Sequence, residues 1–222
     1  MRSWKLHVRF YSPCVFYHRP LLDALLSYAL ERRHQPYRCM YIAPKWRNRD
    51  PVGIPHLQDV VQCFDDIPLT TQMRAVGPEL PYLDSWKKRF HSKDFRLIRW
   101  GRGSHKINTA SGKYRSYNMP LPAKTINAAW FGFVGDGPAV LDLMRSHLFA
   151  IGKKASDGFG IVDEYRLEEA DLDAVDILAL RPVPLRVIAQ KNLPLSGEAK
   201  QVAYKPPYWD NCNVEACVCP AL

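Results

Sequence analysis

Long apolar runs are missing from this chain. None approaches the roughly 18–20 residues that a membrane-spanning helix needs, and Met1-Arg-Ser-Trp-Lys-Leu-His7 has no signal-peptide core. A cytoplasmic location is therefore expected, where the six cysteines stay reduced. Paired C-x2-C spacing is absent too. Cys212, Cys217 and Cys219 bunch near the end without a zinc-ribbon pattern, so no metal ligand and no cofactor is assigned. No Gly-x-Ser-x-Gly, His-Glu-x-x-His or Walker motif occurs, which leaves hydrolase and ATPase readings without support. Acid is scarce where base is dense. From Trp86 to Lys124 eleven Lys or Arg oppose Asp94 alone, an excess larger than the chain's net charge of +9. From Asp163 to Asp176 the sign reverses, with seven acids against Arg166. Segregation of this kind is the electrostatic footprint of a nucleic-acid binder.

The 222 residues suffice for one large domain or two small ones with a substantial core. Trp4 to Tyr11 alternates apolar and polar, the pattern of a half-buried strand, and Ser12-Pro13 is expected to end it. Leu21 to Leu30 has helical spacing, with Pro20 suited to the first turn and Arg32, Arg33 and His34 to the last. Tyr37 to Ile42 reads as a second strand, and short strands are expected at 57–64 and 69–76. The basic window, about residues 86–124, holds two candidate hairpin arms, Phe95–Trp100 and Tyr114–Met119, around a polar glycine-bearing tip. Thr125 to Val134 reads as a strand, Pro138 to Ala150 as an amphipathic helix, and Gly160 to Leu167 as a last strand. The order β-α-β, insertion, β-α-β predicts an α+β fold with a ferredoxin-like core. That domain spans residues 1–185, and 186–222 are expected to form an extended, Pro-rich tail.

Ile151-Gly-Lys-Lys-Ala-Ser-Asp-Gly-Phe-Gly-Ile-Val162 places three glycines and two lysines between helix and strand. Glycine reaches positive φ cheaply, and such a bend can aim N–H groups into a nest that suits phosphate. Helix precedes strand here, so a dinucleotide fingerprint is excluded. The candidate contacts are Gly152, Lys153, Lys154, Gly158, Phe159 and Gly160. The same residues equally suit a helix C-cap at Gly152 followed by a tight turn. In the basic window Trp100, Tyr114 and Tyr117 interleave with Arg99, Arg102, Lys113 and Arg115. Aromatics interleaved with cations suit single-stranded RNA, each stacked base contributing about 1–3 kcal/mol. His105 and Lys106 at the tip, and His18 and Arg19 before the first helix, are the candidates for acid–base cleavage at a 2′-hydroxyl. No second histidine stands at a telling spacing, and no catalytic residue is assigned.

Four blocks together resemble CRISPR proteins of the RAMP superfamily. They are Leu6 to Arg33, Gly112-Lys-Tyr-Arg-Ser-Tyr-Asn-Met-Pro-Leu121, Ala129-Trp-Phe-Gly-Phe-Val-Gly-Asp136 and the glycine segment to Ile161. The combination most resembles the type IV effector subunit of the Cas-five class (the Csf-three group) over roughly residues 4–185. The resemblance implies a right-hand shape with a ferredoxin-like palm and a hairpin thumb that caps the 5′ handle of a CRISPR RNA. It implies a seat at one end of a filament of Cas-seven-like backbone subunits, contact with the large subunit, and nearby target DNA. Lys113, Tyr114, Arg115, Tyr117 and Met119 would then belong to the thumb or its base, and the glycine segment to the phosphate-contacting loop. Two other readings stay open: a Cas-six-like endoribonuclease that processes precursor RNA, and an interaction module whose basic hairpin docks an acidic protein.

Overall fold

The alternation that begins at Trp4 continues well past Tyr11. The computed structural model describes residues 2–34, 57–88 and 115–220, and its first element is β1 (Ser3–Phe16). Leu6, Val8 and Phe10 are buried, while Arg9 and Tyr11 face outward. Ser12-Pro13 does not end the strand. Between Arg9↔Ala128 and Cys14↔Ile126 the register slips, leaving residues 10–13 opposite Asn127 alone. A bulge absorbs the proline, which has no N–H to offer a ladder.

Helix α1 (Leu22–His34) follows. It buries Leu22, Leu26, Ala29 and Leu30, a single stripe at helical spacing. The strand expected at 37–42 lies outside the described residues. A helical turn, α2 (Leu57–Val60), replaces the first part of the strand expected at 57–64. The strands β2 (Cys63–Phe64), β3 (Ile67–Pro68) and β4 (Arg74–Ala75) that follow are two residues each. Then come two long strands, β5 (Leu80–Lys88) and β6 (Tyr117–Val134). They pair antiparallel from Leu80↔Thr125 to Lys88↔Tyr117. The arm expected at 95–100 lies outside the described residues. Within them, the partner of Tyr117–Met119 is β5, which Pro78 and Pro81 conceal in the sequence.

β6 also pairs with β1, and its last partner there is Lys124↔Phe16. The seven residues from Tyr117 to Ala123 pair with β5 and run past the end of β1. This two-stranded ribbon therefore extends about 24 Å past the last β1 pair at 3.4 Å per residue. Prolines 120 and 122 fall in this stretch, where a strand paired on one side tolerates a missing N–H.

Asp136 caps α3 (Gly137–His147), its carboxylate accepting from the Ala139 N–H. β7 (Val162–Ala170) completes a sheet ordered β4-β6-β1-β7, with β5 also on β6 and every pair antiparallel. α1 and α3 cover one face through Leu22, Leu26, Val140, Leu143 and Met144, packed on Leu6, Val8, Phe131 and Phe133.

Residues 173–219 fold as well. A capping box of Asp173 and Asp176 starts α4 (Ala174–Leu178). β8 (Val183–Pro184), α5 (Leu185–Lys191), β9 (Glu198–Ala203) and β10 (Val214–Cys219) follow, with the strands in antiparallel order β8-β10-β9. Val183, Val187, Tyr204 and Cys217 join Ile67, Leu69 and Val134 in a second core. The expected extended tail is thus a small sheet anchored on the first. Its anchor is Arg181, fully buried. That guanidinium donates to the carbonyls of Pro68 and Tyr204, to Thr70 Oγ1 at 3.0 Å and to Asp23 on α1 at 3.1 Å.

Candidate nucleic-acid interface

The glycine segment wraps the end of β1. α3 stops at His147, so Gly152 is not its C-cap. Instead the Lys153 N–H donates to Val15 O at 2.7 Å, the Gly160 N–H to Pro13 O at 3.0 Å, and the Ile161 N–H to Ser12 Oγ at 3.0 Å. Close approach explains two of the glycines. At Gly152 (φ +98°) a Cβ would lie 2.6 Å from Val15 O, and at Gly160 (φ +65°) 1.9 Å from Ile151 O. A short 3-10 turn, Ala155–Asp157, closes the loop. Within it the Asp157 and Phe159 N–H groups donate to Lys154 O and the Gly158 N–H to Ala155 O. Most of the expected N–H nest is therefore bonded inside the protein. What the loop presents outward is charge: Lys153 is exposed and Lys154 half-buried, the latter held at φ +62°.

The loop meets the root of the ribbon. Lys153 bridges to Val15, Val15 pairs with Thr125, and Thr125 with Leu80, so loop, β1, β6 and β5 share one row. The Phe159 ring lies 5.7 Å from that of Tyr82 on β5, tilted by 52°, a favourable aromatic geometry. One row along, Lys124 Nζ donates to Glu79 Oε2 at 2.7 Å, and Arg19 donates to the other oxygen. Burial works against the Glu79 charge, yet Lys124 and Arg19 together hold its carboxyl below the usual range.

Elsewhere on the sheet several basic residues in and beside β1 face acids of β7. Arg9 pairs with Asp163 and Glu164, His7 with Glu168 and Arg2 with Glu169. The part of the acidic run within β7 is therefore a cross-strand complement of β1. At the loop and the ribbon root Lys153, Lys154, Arg19, Arg74 and Lys124 gather with Asp157 and Glu79 among them.

Of the residues singled out in the sequence, the structure brings together Gly152, Lys153, Lys154, Gly158, Phe159 and Gly160, with Arg19 at the neighbouring root. Arg115 is exposed and Tyr117 half-buried at the far end of β6. Met119 lies in β6 opposite Trp86. Trp100, Arg102, His105, Lys106, Lys113 and Tyr114 lie outside the described residues. His18 is exposed. Sequence reasoning missed Arg74, Glu79 and the pairing role of Lys124, which entered only as one charge in the basic window. It also missed Tyr11 (81% exposed) and Phe149 (71% exposed). Their backbones flank the loop's exit, the Tyr11 N–H donating to Ile161 O and the Val162 N–H to Phe149 O. Alternation in β1 puts Tyr11 on the outer face, but nothing local links it to residue 161.

Among the described residues no group of three His, Cys, Asp or Glu is placed to hold a metal, and no helix is long and apolar enough to cross a membrane. Burial pushes the thiols of Cys14 and Cys217 up to about 12, so neither is a thiolate near neutral pH.

These features define an α+β protein of antiparallel sheets with a projecting two-stranded ribbon and a lysine-bearing glycine loop at its root. The sequence model of CRISPR type IV associated protein Csf3 matches residues 79–220. That span is well over half of the 222 residues, and the chain belongs to the Csf3 family of CRISPR type IV associated proteins. No curated protein matches it.

Proposed function

We propose that this chain is the non-catalytic, RNA-binding subunit that caps the 5′ handle of the CRISPR RNA in a type IV effector complex. It contacts the backbone and large subunits, with target DNA passing near its end. The observation that carries this reading is the meeting of the Lys153–Lys154 loop with the root of the β5–β6 ribbon, in a chain of the Csf3 family. Cations held on a rigid sheet end position a phosphate backbone without reading its bases. The antiparallel order β7-β1-β6-β4, with α1 and α3 on one face, supports reading the main sheet as a ferredoxin-like palm. The ribbon then serves as the base of a thumb, with Arg115 and Tyr117 toward its far end.

Co-expression with the products of neighbouring genes, followed by sequencing of co-purified RNA with mapped 5′ ends, tests this. One discrete repeat-derived handle, uncut by the chain alone, is the expected result. Heterogeneous RNA, or none, refutes the capping role. In direct binding, Lys153→Ala with Lys154→Ala should flatten the log–log salt dependence by on the order of one unit, at about 0.7 for each phosphate no longer neutralised. An unchanged slope removes the loop from the interface.

A further inference from the structure

At the root of the ribbon, two cations share one acid and a third feels its charge. Arg19 and Lys124 each take one oxygen of Glu79. Arg74, on β4 opposite Trp130, stands close enough to Arg19 that burial and the neighbouring positive charge both lower its pKa, while Glu79 works the other way. Its Nη1 is buried without a hydrogen-bond partner, although a guanidinium carries five donors in a rigid fork. Arg19 and Glu79 are themselves largely covered, at 12% and 16% exposed, and Lys124 is open to solvent at 53%. A part-buried carboxylate held by Arg19 and Lys124, with the buried, unpartnered Nη1 of Arg74 within reach of the same charges, makes a site suited to an oxyanion and incompletely filled by the side chain it holds.

We infer that Glu79 occupies the place of an RNA phosphodiester, and that Arg19, Arg74 and Lys124 form an oxyanion site which a phosphate takes over by displacing that carboxylate. The inference deepens the RNA-binding reading and rests on it. A phosphodiester has the charge and the paired free oxygens of a carboxylate, so the exchange preserves the local balance while reaching a third cation. Position favours it too. The row from Lys153 through Val15 ends at Thr125, two strand spacings or about 10 Å away, and Lys124 is the next residue along β6. An RNA strand that rounds the end of the sheet passes both the loop and this site. The entry side is the exposed Lys124 ammonium. Until RNA arrives, Glu79 keeps two of the cations paired, so affinity is lower than the same cations would otherwise provide.

The test uses the full chain and a fluorescein-labelled oligouridylate, with anisotropy followed over a salt series and thermal melting of each variant as the folding control. Arg74→Gln should weaken binding and reduce the log–log slope by about 0.7. Glu79→Gln should do the opposite, tightening binding several-fold at low salt and steepening the slope. A purely structural role for the Arg19–Glu79–Lys124 network predicts a lower melting temperature for Glu79→Gln and no tighter binding, and that result overturns the inference. So do wild-type slopes in both variants, while leaving the loop and the capping role intact. If the wild-type chain does not bind the oligouridylate, the RNA-binding reading fails by itself, and inorganic pyrophosphate becomes the probe. Thermal stabilisation by pyrophosphate that is abolished in Arg74→Gln supports the oxyanion site; equal stabilisation of both proteins refutes it.

Discussion

Replacing Arg181 by methionine removes a buried guanidinium that ties the small sheet to Asp23 on α1 and to Pro68 and Thr70. Arg181 and Asp23 are both fully buried and bonded at 3.1 Å. Burial opposes the arginine's charge, but Asp23 and Tyr208 more than offset it, so the guanidinium stays protonated. Removing one partner of a buried pair costs about 3–5 kcal/mol, because the other charge is left uncompensated. Asp23 would keep two donors, the Tyr208 hydroxyl at 2.8 Å and the Ala24 N–H at 3.0 Å, which argues for the lower part of that range. Against this, the Pro68 and Tyr204 carbonyls lose the guanidinium donor, at about 1 kcal/mol or more each if left unsatisfied. The expected loss is therefore about 4 kcal/mol, a large share of the roughly 5–15 kcal/mol that stabilises a domain. Asp23→Asn should cost less, because its side chain still accepts hydrogen bonds and the arginine keeps its carbonyl partners. The double variant buries no net charge, and its cost should fall short of the sum of the singles by about 2 kcal/mol. Urea denaturation followed by tryptophan fluorescence measures all three. Hydrogen exchange should localise the weakening to residues 198–219, where β9 and β10 lie. A loss below about 1 kcal/mol for Arg181→Met, or strict additivity in the cycle, would refute the reasoning.

The glycine loop offers a graded comparison in thermal melts. Gly158→Ala meets nothing within 4 Å and should cost only the left-handed backbone penalty, about 1–2 kcal/mol. Gly160→Ala adds a collision with Ile151 O, where a Cβ would sit at 1.9 Å, so about 1–3 kcal/mol of overpacking comes on top; equal losses would contradict the packing described. Lys154→Gly relieves a left-handed non-glycine residue at φ +62° and should raise stability by up to about 1 kcal/mol. It should nevertheless weaken RNA binding, and a variant that is both more stable and equally tight in binding would argue against the role of Lys154. Burial raises the Asp66 pKa, but hydrogen bonds from Lys205 and Tyr204 and the charges of Lys205 and Arg186 outweigh it, holding the carboxyl at about 2. Below its unfolded pKa of about 4 the unfolded chain takes up this proton first, so the stabilisation is full above about pH 4 and lost toward pH 2. Asp66→Asn should flatten that acid limb of a melting-temperature profile, and an unchanged limb would show that other carboxylates control it.

Local pattern determined much of this protein. The period-two run from Trp4, the apolar stripe of α1 and the strand to Val134 all rest on interactions within a few residues, and each is legible from the chain alone. So is the glycine loop, because positive φ and close backbone approach restrict residue type whatever packs nearby. The segregation of charge is equally plain in the sequence, but its meaning is not. Only the register of β7 on β1 shows that acids of this run answer Arg9, His7 and Arg2 across the ladder. The prolines at 78 and 81 hide β5, since their cost to a strand depends on whether an edge is paired, and pairing is a tertiary fact. The Pro-rich tail reads as extended chain for the same reason. Its strands have weak local signals and depend on Arg181, whose partners at positions 23, 68, 70 and 204 are far apart in the chain. Long-range ion pairs and ladders obey geometry rather than sequence spacing, and so only the tertiary structure brings Arg19, Arg74, Glu79 and Lys124 to one place.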